Sequence, residues 1–154
     1  LMSRGLNERE AIRAKAIETG VWPVKIQEFI VEMESKILYA APFSPHFEPG
    51  EHGNIYEFRT YTFAVGSIPK VIERWGQHIA RRTALSPLIF AGHTEIGPLN
   101  QWVHVWAYKN MGERERIRAE AVKAGIWPPP RDPSVTMLKM ESTLAVPASW
   151  SPLR

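Results

Sequence analysis

A chain of 154 residues, 44% hydrophobic and 23% charged, is typical of a globular protein with one good core or two small ones. Its 19 Lys and Arg exceed its 16 Asp and Glu, but the basic residues alternate with acidic ones, which argues against nucleic-acid binding. The absence of cysteine excludes disulfides, thiolate nucleophiles and Cys-ligated metals. No apolar run approaches the roughly 18 residues of a membrane span, and no secretory signal opens the chain, so we expect a cytoplasmic protein.

An internal repeat organises the chain. The segment NEREAIRAKAIETGVWP at residues 7–23 and the segment GERERIRAEAVKAGIWP at residues 112–128 are identical at 10 of 17 positions. The similarity continues, because MES at residues 33–35 recurs at residues 140–142. The same helix and strand are therefore predicted twice.

The repeat divides the chain into three parts. Residues 1–45 are predicted to be the second half, a helix and a strand, of an incomplete repeat, with Asn7 and Glu10 as N-cap and capping box of the helix. Residues 46–54, which are rich in Pro and Gly, are predicted to form a linker, and residues 55–152 the complete copy. A helix and a strand alone bury too little surface to be stable, so we expect residues 1–45 to pack against another domain or subunit.

The complete copy predicts six elements. Runs rich in β-branched and aromatic residues indicate strands, and an apolar stripe formed by Ile68, Val71, Ile72, Trp75 and Ile79 indicates the first helix. Charged residues with a helical period, ended by Gly125, indicate the second helix. The order β-α-β-β-α-β predicts a ferredoxin-like α+β domain. The predicted strands span residues 55–63, 87–96, 101–108 and 135–146, and the second helix spans residues 112–124.

The two faces of the predicted sheet differ in the size of their side chains. One face carries small residues such as Val103 and Val105, which suit packing beneath helices, and the other carries large aromatic residues. We therefore expect the aromatic face to point away from the helices and to be covered by a second sheet. Two sheets packed face to face would form a barrel, either in a homo-oligomer or in an intrachain pseudo-dimer.

The segments YEFRTYTF, EIGPLNQWVHVWAY and GERERIRAEAV, with the terminal PASWSP, resemble the NIPSNAP family. The resemblance implies the fold of the dimeric α/β barrel superfamily, whose other branches include cofactor-independent monooxygenases and haem-binding proteins. It implies no reaction, since none is securely assigned to the family. It also implies a mitochondrial location as the alternative to a cytoplasmic one if the source is eukaryotic.

The candidate site follows from the expected barrel interior. Five residues are predicted to bind a small hydrophobic or aromatic ligand: Arg59, Tyr61, Trp102, His104 and Trp106. His104 and His93 are the candidate catalytic residues. The alternatives are structural: a neutral core imidazole at His104 bonded to Tyr61 or Glu95, and an ion pair of Arg59 with Glu57, Glu95 or Glu141.

No metal site or cofactor is predicted. His46, Glu48, Glu51 and His52 lie within the linker, where the ordering of a mobile segment opposes metal binding. The motifs of phosphate-binding loops, nucleophile elbows and zinc proteases are absent from the sequence. The sequence therefore favours a ligand-binding or assembly module, with no membrane or nucleic-acid partner. The alternative is a monooxygenase-like or haem-binding enzyme with His104 as ligand or acid/base.

Overall fold

The structure is a computed structural model that describes residues 5–154. The chain divides into two compact units, one ending at Ser35 and one spanning Lys36–Arg154. Within the described residues, no helix is long and apolar enough to span a membrane.

The first unit contains one helix, α1 (Leu6–Glu18), and a 3-10 turn at Gln27–Phe29. The helix is followed by Gly20, whose φ of 69° lies in the left-handed region that favours glycine. No residue of α1 is buried. The N-cap is Gly5, and no side chain caps the helix, so the predicted capping by Asn7 is wrong: Asn7 lies inside the first turn.

The second unit has the α+β architecture predicted from the sequence. Its sheet has the order β1-β3-β4-β2-β5, and each neighbouring pair is antiparallel. Strands β2 to β5 with two helices reproduce the ferredoxin-like order, with β2 and β4 in the centre. The elements are β1 (Ile37–Ala40), β2 (Ile55–Phe63), α2 (Ile68–Thr83), β3 (Leu88–Ile96), β4 (Gln101–Tyr108), α3 (Met111–Lys123) and β5 (Met137–Ala145).

Strand β1 extends this sheet at the edge of β3, where Tyr39 pairs with His93 and Ala40 with Gly92. The two backbones approach so closely at Gly92 that a Cβ there would collide with the carbonyl oxygen of Tyr39. The boundary between the two units lies between residues 35 and 36, before β1. The region predicted as a linker, residues 46–54, lies inside the second unit.

The main core lies between the sheet and the two helices. Val71, Trp75 and Ile79 of α2 and Ile117 of α3 pack against the aromatic side of the sheet. Trp102, Trp106 and Tyr108 of β4 are at most 2% exposed there. The predicted assignment of the two faces is therefore wrong. Period-two alternation separates the faces of a strand, but it does not tell which face the helices cover.

The opposite side of the sheet is only partly covered. At one end, Tyr56, Val105 and Ala107 form a small second core with Leu153 near the C-terminus. Backbone hydrogen bonds hold this terminal segment to the linker, since Arg154 N donates to Gly50 O at 2.9 Å. The rest of this side, here called the open face, includes by strand register Phe58, Thr60, Thr62, Val103, Lys139, Glu141 and Thr143.

Candidate functional site

A buried carboxylate on the central strand organises the polar groups beneath the helices. Glu57 is 0% exposed, and its Oε1 accepts hydrogen bonds from Arg59 Nη1 at 2.8 Å and Arg114 Nη2 at 2.6 Å. Ser142 Oγ donates to the same oxygen at 2.9 Å, and Arg118 Nη1 lies 3.7 Å from Oε2. Three guanidinium groups from β2 and α3 therefore share one carboxylate.

These partners keep Glu57 ionised. Burial alone would raise the pKa of its carboxyl, but the hydrogen bonds from Arg114 and Ser142 and the charges of Arg59 and Arg118 lower that pKa to about 2. Burial in turn is compatible with the charge because the carboxylate is paired and hydrogen-bonded. The cluster therefore fixes α3 to the central strand of the sheet.

The side chain of His104 is locked as a neutral imidazole. Trp106 Nε1 donates to His104 Nδ1 at 2.7 Å, and an indole can only donate, so the ring proton is on Nε2. Burial lowers the pKa of His104 well below its ordinary value, and the charge of Arg59 lowers it further. The ring centroids of Trp75 and Tyr61 lie 4.6 Å and 4.9 Å from that of His104.

All five predicted ligand-binding residues are thus brought together, but in the core beneath the helices. Arg59 forms the ion pair with Glu57, and its Nε donates to Tyr61 Oη at 2.7 Å. Trp102 packs edge-on against Trp75 at a centroid distance of 5.1 Å. The ligand-binding role of these five residues stays a prediction. The structural alternatives agree with the contacts of Arg59 and His104. Arg59 forms an internal ion pair with Glu57, and His104 is a neutral core imidazole whose hydrogen-bond partner is Trp106.

The second candidate histidine lies on β3, next to one end of this cluster. His93 is half-buried near the edge of the sheet, where its ring meets Tyr39 edge-on at 6.0 Å. Its Nδ1 has no hydrogen-bond partner among the described residues. Its neighbour across the sheet is Trp102.

The linker histidines border a surface cavity of about 240 Å³. His46, Glu48 and His52 line it together with the apolar Phe47 and Leu153. His52 Nε2 lies 3.0 Å from the carbonyl oxygen of Glu48. Among residues 5–154, no group of three or more His, Asp or Glu side chains is arranged to hold a metal ion.

A second buried cation was missed by the sequence reasoning. Arg82 of α2 is 2% exposed, and its guanidinium lies 4.1 Å from the ring centroid of Trp106. It donates to Ser86 Oγ at 2.7 Å and to Tyr108 Oη at 3.0 Å. The spacing of Arg82 from Trp75 and Ile79, seven and three residues earlier, is the signal that places it on the apolar stripe.

Arg114 and Arg118 were also missed as partners of Glu57. A signal for them was present in the repeat, because the first copy carries Arg9 and Arg13 at the same positions of the repeated segment. The exposed pair of Arg116 with Glu120 on the same helix is, by contrast, an ordinary solvated i, i+4 pair.

Comparisons with known proteins agree with this fold. The family model of NIPSNAP matches residues 56–152. A crystal structure of a protein from Agrobacterium tumefaciens is 31% identical with a TM-score of 0.59, covering 65% of this chain and 99% of that one. A NIPSNAP-like domain protein from Burkholderia xenovorans is 31% identical with a TM-score of 0.52, covering 66% of this chain and 90% of that one.

Longer relatives match a larger part of the chain. The NipSnap homolog of Dictyostelium discoideum is 32% identical over 69% of this chain and 51% of its own length. The NipSnap homolog 1 of Danio rerio is 27% identical over 82% of this chain and 46% of its own length. The chain thus spans about half the length of the curated relatives that it matches. Since the family model matches residues 56–152, which is more than half of the chain, the chain belongs to the NIPSNAP family.

Proposed function

We propose that this chain is an assembly module whose open face packs against a second ferredoxin-like sheet. The observation that carries the proposal is the exposure of Phe58, which is 42% exposed although it lies in the middle of the central strand β2. Val103 on β4, which pairs with Thr60 two residues further along β2, is also partly exposed. Covering such apolar residues removes them from water and stabilises the assembly.

The strand count supports a second sheet of the same kind. Two ferredoxin-like sheets of four strands make eight, and this sheet has five, because β1 is added to β2 to β5. We propose that α1 and β1 are the last helix and strand of an incomplete repeat. A segment with the order strand, helix, strand, strand would supply the three strands that the second sheet lacks.

A ligand held between two such sheets would contact the open face and not the five residues predicted from the sequence. Phe58 and Val103 would then form the apolar wall, with Glu141 near the rim. Ligand binding is therefore secondary to assembly in this proposal, because the space for a ligand exists only once a second sheet is present.

Self-association tests the proposal. When no other sheet is offered, we expect the open faces of two chains to pack together, and sedimentation velocity over a concentration series to show a monomer–dimer equilibrium. Phe58→Asp should shift this equilibrium to the monomer, because pairing would bury an unpaired carboxylate. Val65→Asp is the control, since Val65 is 88% exposed in the turn after β2. A wild-type chain that stays monomeric at every concentration contradicts the proposal.

A further inference from the structure

The helix α3 shows how the repeated segment is held in a complete unit. Ile117 and Ala121 are buried against the sheet at 3% and 1% exposure. Arg114 lies one turn earlier on the same side and donates to Glu57 at 2.6 Å, while Arg118 lies 3.7 Å from the same carboxylate. The helix therefore packs on both an apolar surface and a buried anion.

The segment that follows α3 adds an aromatic contact. The ring of Trp127 meets that of Trp75 of α2 edge-on at a centroid distance of 4.5 Å. Such a pair contributes more than its buried area alone. The repeated segment thus contacts β2, the first strand of the complete repeat, through the carboxylate of Glu57, and it contacts α2, the first helix of that repeat, through the ring of Trp75.

Helix α1 and the turn after it present the same five side chains at the same spacing. They are here called the α1 face: Arg9, Ile12, Arg13, Ala16 and Trp22, which align with Arg114, Ile117, Arg118, Ala121 and Trp127. Ile12 is nevertheless 39% exposed and Trp22 is 41% exposed. Within residues 5–154, neither Arg9 nor Arg13 forms an ion pair with a carboxylate.

We infer that the α1 face binds a strand–helix–strand–strand segment whose first strand carries a carboxylate at the position of Glu57 and whose helix carries an aromatic ring at the position of Trp75. The inference rests on the proposed function, because the other side of that segment's sheet would cover the open face. Two arginines that flank Ile12 require an anion in the occupant, since burying unpaired cations is strongly unfavourable. An apolar partner without an acidic residue does not meet this requirement.

A second copy of this chain does not meet it either. In each copy the carboxylate of Glu57 is already held by Arg114 of α3, and the ring of Trp75 by Trp127. The α1 face of another molecule would have to displace α3 to reach them. The occupant is therefore a strand–helix–strand–strand segment that has no second helix of its own, so that its carboxylate and its aromatic ring are not already bound.

A helix graft tests whether the α1 face can form the contacts that residues 112–128 form with Glu57 and Trp75. Residues 112–128 of the full chain are replaced by residues 7–23, which have the same length and keep Asn110 as N-cap. We expect the grafted chain to unfold cooperatively. Grafted Arg9→Ala should raise the unfolding equilibrium constant by roughly tenfold or more, because Arg9 replaces the arginine hydrogen-bonded to Glu57.

The matched control is grafted Lys15→Ala, because Lys15 aligns with Glu120, which is exposed to solvent. It should change the equilibrium constant by less than about fivefold, as expected for a surface charge. A graft that does not fold, or one in which Arg9→Ala and Lys15→Ala have equal effects, overturns the inference.

A fusion tests whether the face is bound by the predicted partner. An extra copy of residues 53–110, which supplies a strand, a helix and two strands with its own Glu57, is joined ahead of the full chain by a flexible linker. We expect amide hydrogen exchange of α1 to slow relative to the unfused chain. Arg9→Glu should reverse this protection, because it would place a second carboxylate against Glu57 of the extra copy. Unchanged exchange of α1 in the fusion also overturns the inference.

The charge-matched control in the fusion is Lys15→Glu, which should leave the protection of α1 intact. The two proposals fail in different ways, because their tests share no variant. Failure of sheet pairing appears as self-association that is insensitive to Phe58→Asp in the unfused chain. Failure of the α1 face appears as a graft whose stability does not depend on Arg9.

Discussion

At the scale of single residues, the main role of Glu57 in the core is to supply a negative charge. Its carboxylate compensates the positive charge of Arg59 and Arg114, both of which lie largely out of water. Removing one member of such a cluster leaves the others buried without compensation, which is more unfavourable than never having buried them. The position therefore tolerates neither an apolar residue nor an amide.

Glu57→Gln should lower the free energy of unfolding by about 3 kcal/mol, because an amide cannot neutralise the adjacent guanidinium groups. Urea denaturation at pH 7 measures the change. Glu141→Gln is the control, since Glu141 is exposed and pairs with Lys139 at 2.9 Å in solvent. Its effect should be below about 1 kcal/mol. Equal effects of the two substitutions would show that the ionic cluster is not important for stability.

The pH dependence of stability should come partly from His104. Its pKa is lowered in the folded state by burial and by the nearby arginines, so the unfolded chain binds a proton that the folded chain does not. The free energy of unfolding is then complete above the ordinary histidine pKa of 6.5 and decreases as the pH falls below it. The slope from this residue is at most about 1.4 kcal/mol per pH unit.

Urea titrations between pH 7.5 and 5.5 measure that slope. We expect His104→Gln to reduce the slope, and His46→Gln, a change at an exposed histidine of the linker, to leave it unchanged. Glu57 adds a second decrease at lower pH, because its folded pKa of about 2 lies below the ordinary value of 4.5. A wild-type stability that is constant from pH 7.5 to 5.5 would contradict the neutral state assigned to His104.

At the scale of elements, the two copies of the repeated helix begin differently. In α3, Asn110 is the N-cap, and its Oδ1 accepts a hydrogen bond from Glu113 N at 2.8 Å. Glu113 Oε2 in turn accepts a hydrogen bond from the amide of Lys109, the residue before the N-cap, at 2.6 Å. In α1 the N-cap is Gly5 and no side chain takes this role.

Asn110→Ala should therefore lower the free energy of unfolding by about 1 kcal/mol, because it leaves the first-turn amides of α3 without their acceptor. Thermal unfolding followed by circular dichroism measures the loss. Asn7→Ala is the matched substitution in α1 and should not speed amide exchange of that helix. If Asn7→Ala destabilised α1 as much as Asn110→Ala destabilises α3, the N-terminus of α1 would lie where the sequence placed it.

The elements themselves were largely predictable from the sequence. Strand β2 has the predicted bounds Ile55–Phe63, and helix α2 follows from its apolar stripe. These features are local, because side-chain period and turn residues determine them. The ferredoxin-like order then follows from the sequence of elements, and the comparisons with solved structures agree with it.

The side of the sheet on which the helices lie was not predictable in the same way. Large aromatic residues on β4 were assigned to a second layer, but Trp102 and Trp106 pack beneath the helices in one core with Trp75 and Ile79 of α2. Which face of a sheet a helix covers depends on how the side chains of both elements fit together, and the sequence of one strand does not contain this information. The sequence therefore grouped the five site residues correctly but assigned them to the wrong face of the sheet.

At the scale of the whole molecule, the two units differ in how much they bury. Every described residue up to Ser35 is exposed or partly exposed, whereas the unit from Lys36 onward contains the whole core. Local stability follows the burial of apolar contacts, so the first unit should open more easily.

Limited proteolysis should therefore cut first between residues 19 and 35, as identified by mass spectrometry of early fragments. The strands β2 and β4 should remain intact longest, since they occupy the centre of the sheet. Chymotrypsin has targets in both regions, for example Phe29 at 75% exposure and Phe58 at 42%. Early cleavage after Phe58 would contradict this order of stability.

The pairing of β1 with β3 also replaces a nine-residue edge strand by a four-residue one. Without it, β5 of one molecule could add to the nine-residue β3 of the next, and such a head-to-tail contact would propagate into a filament. With β1 in place, an incoming strand meets only four residues at that end of the sheet. The short strand thus disfavours the edge-to-edge addition of strands that would otherwise build an open filament.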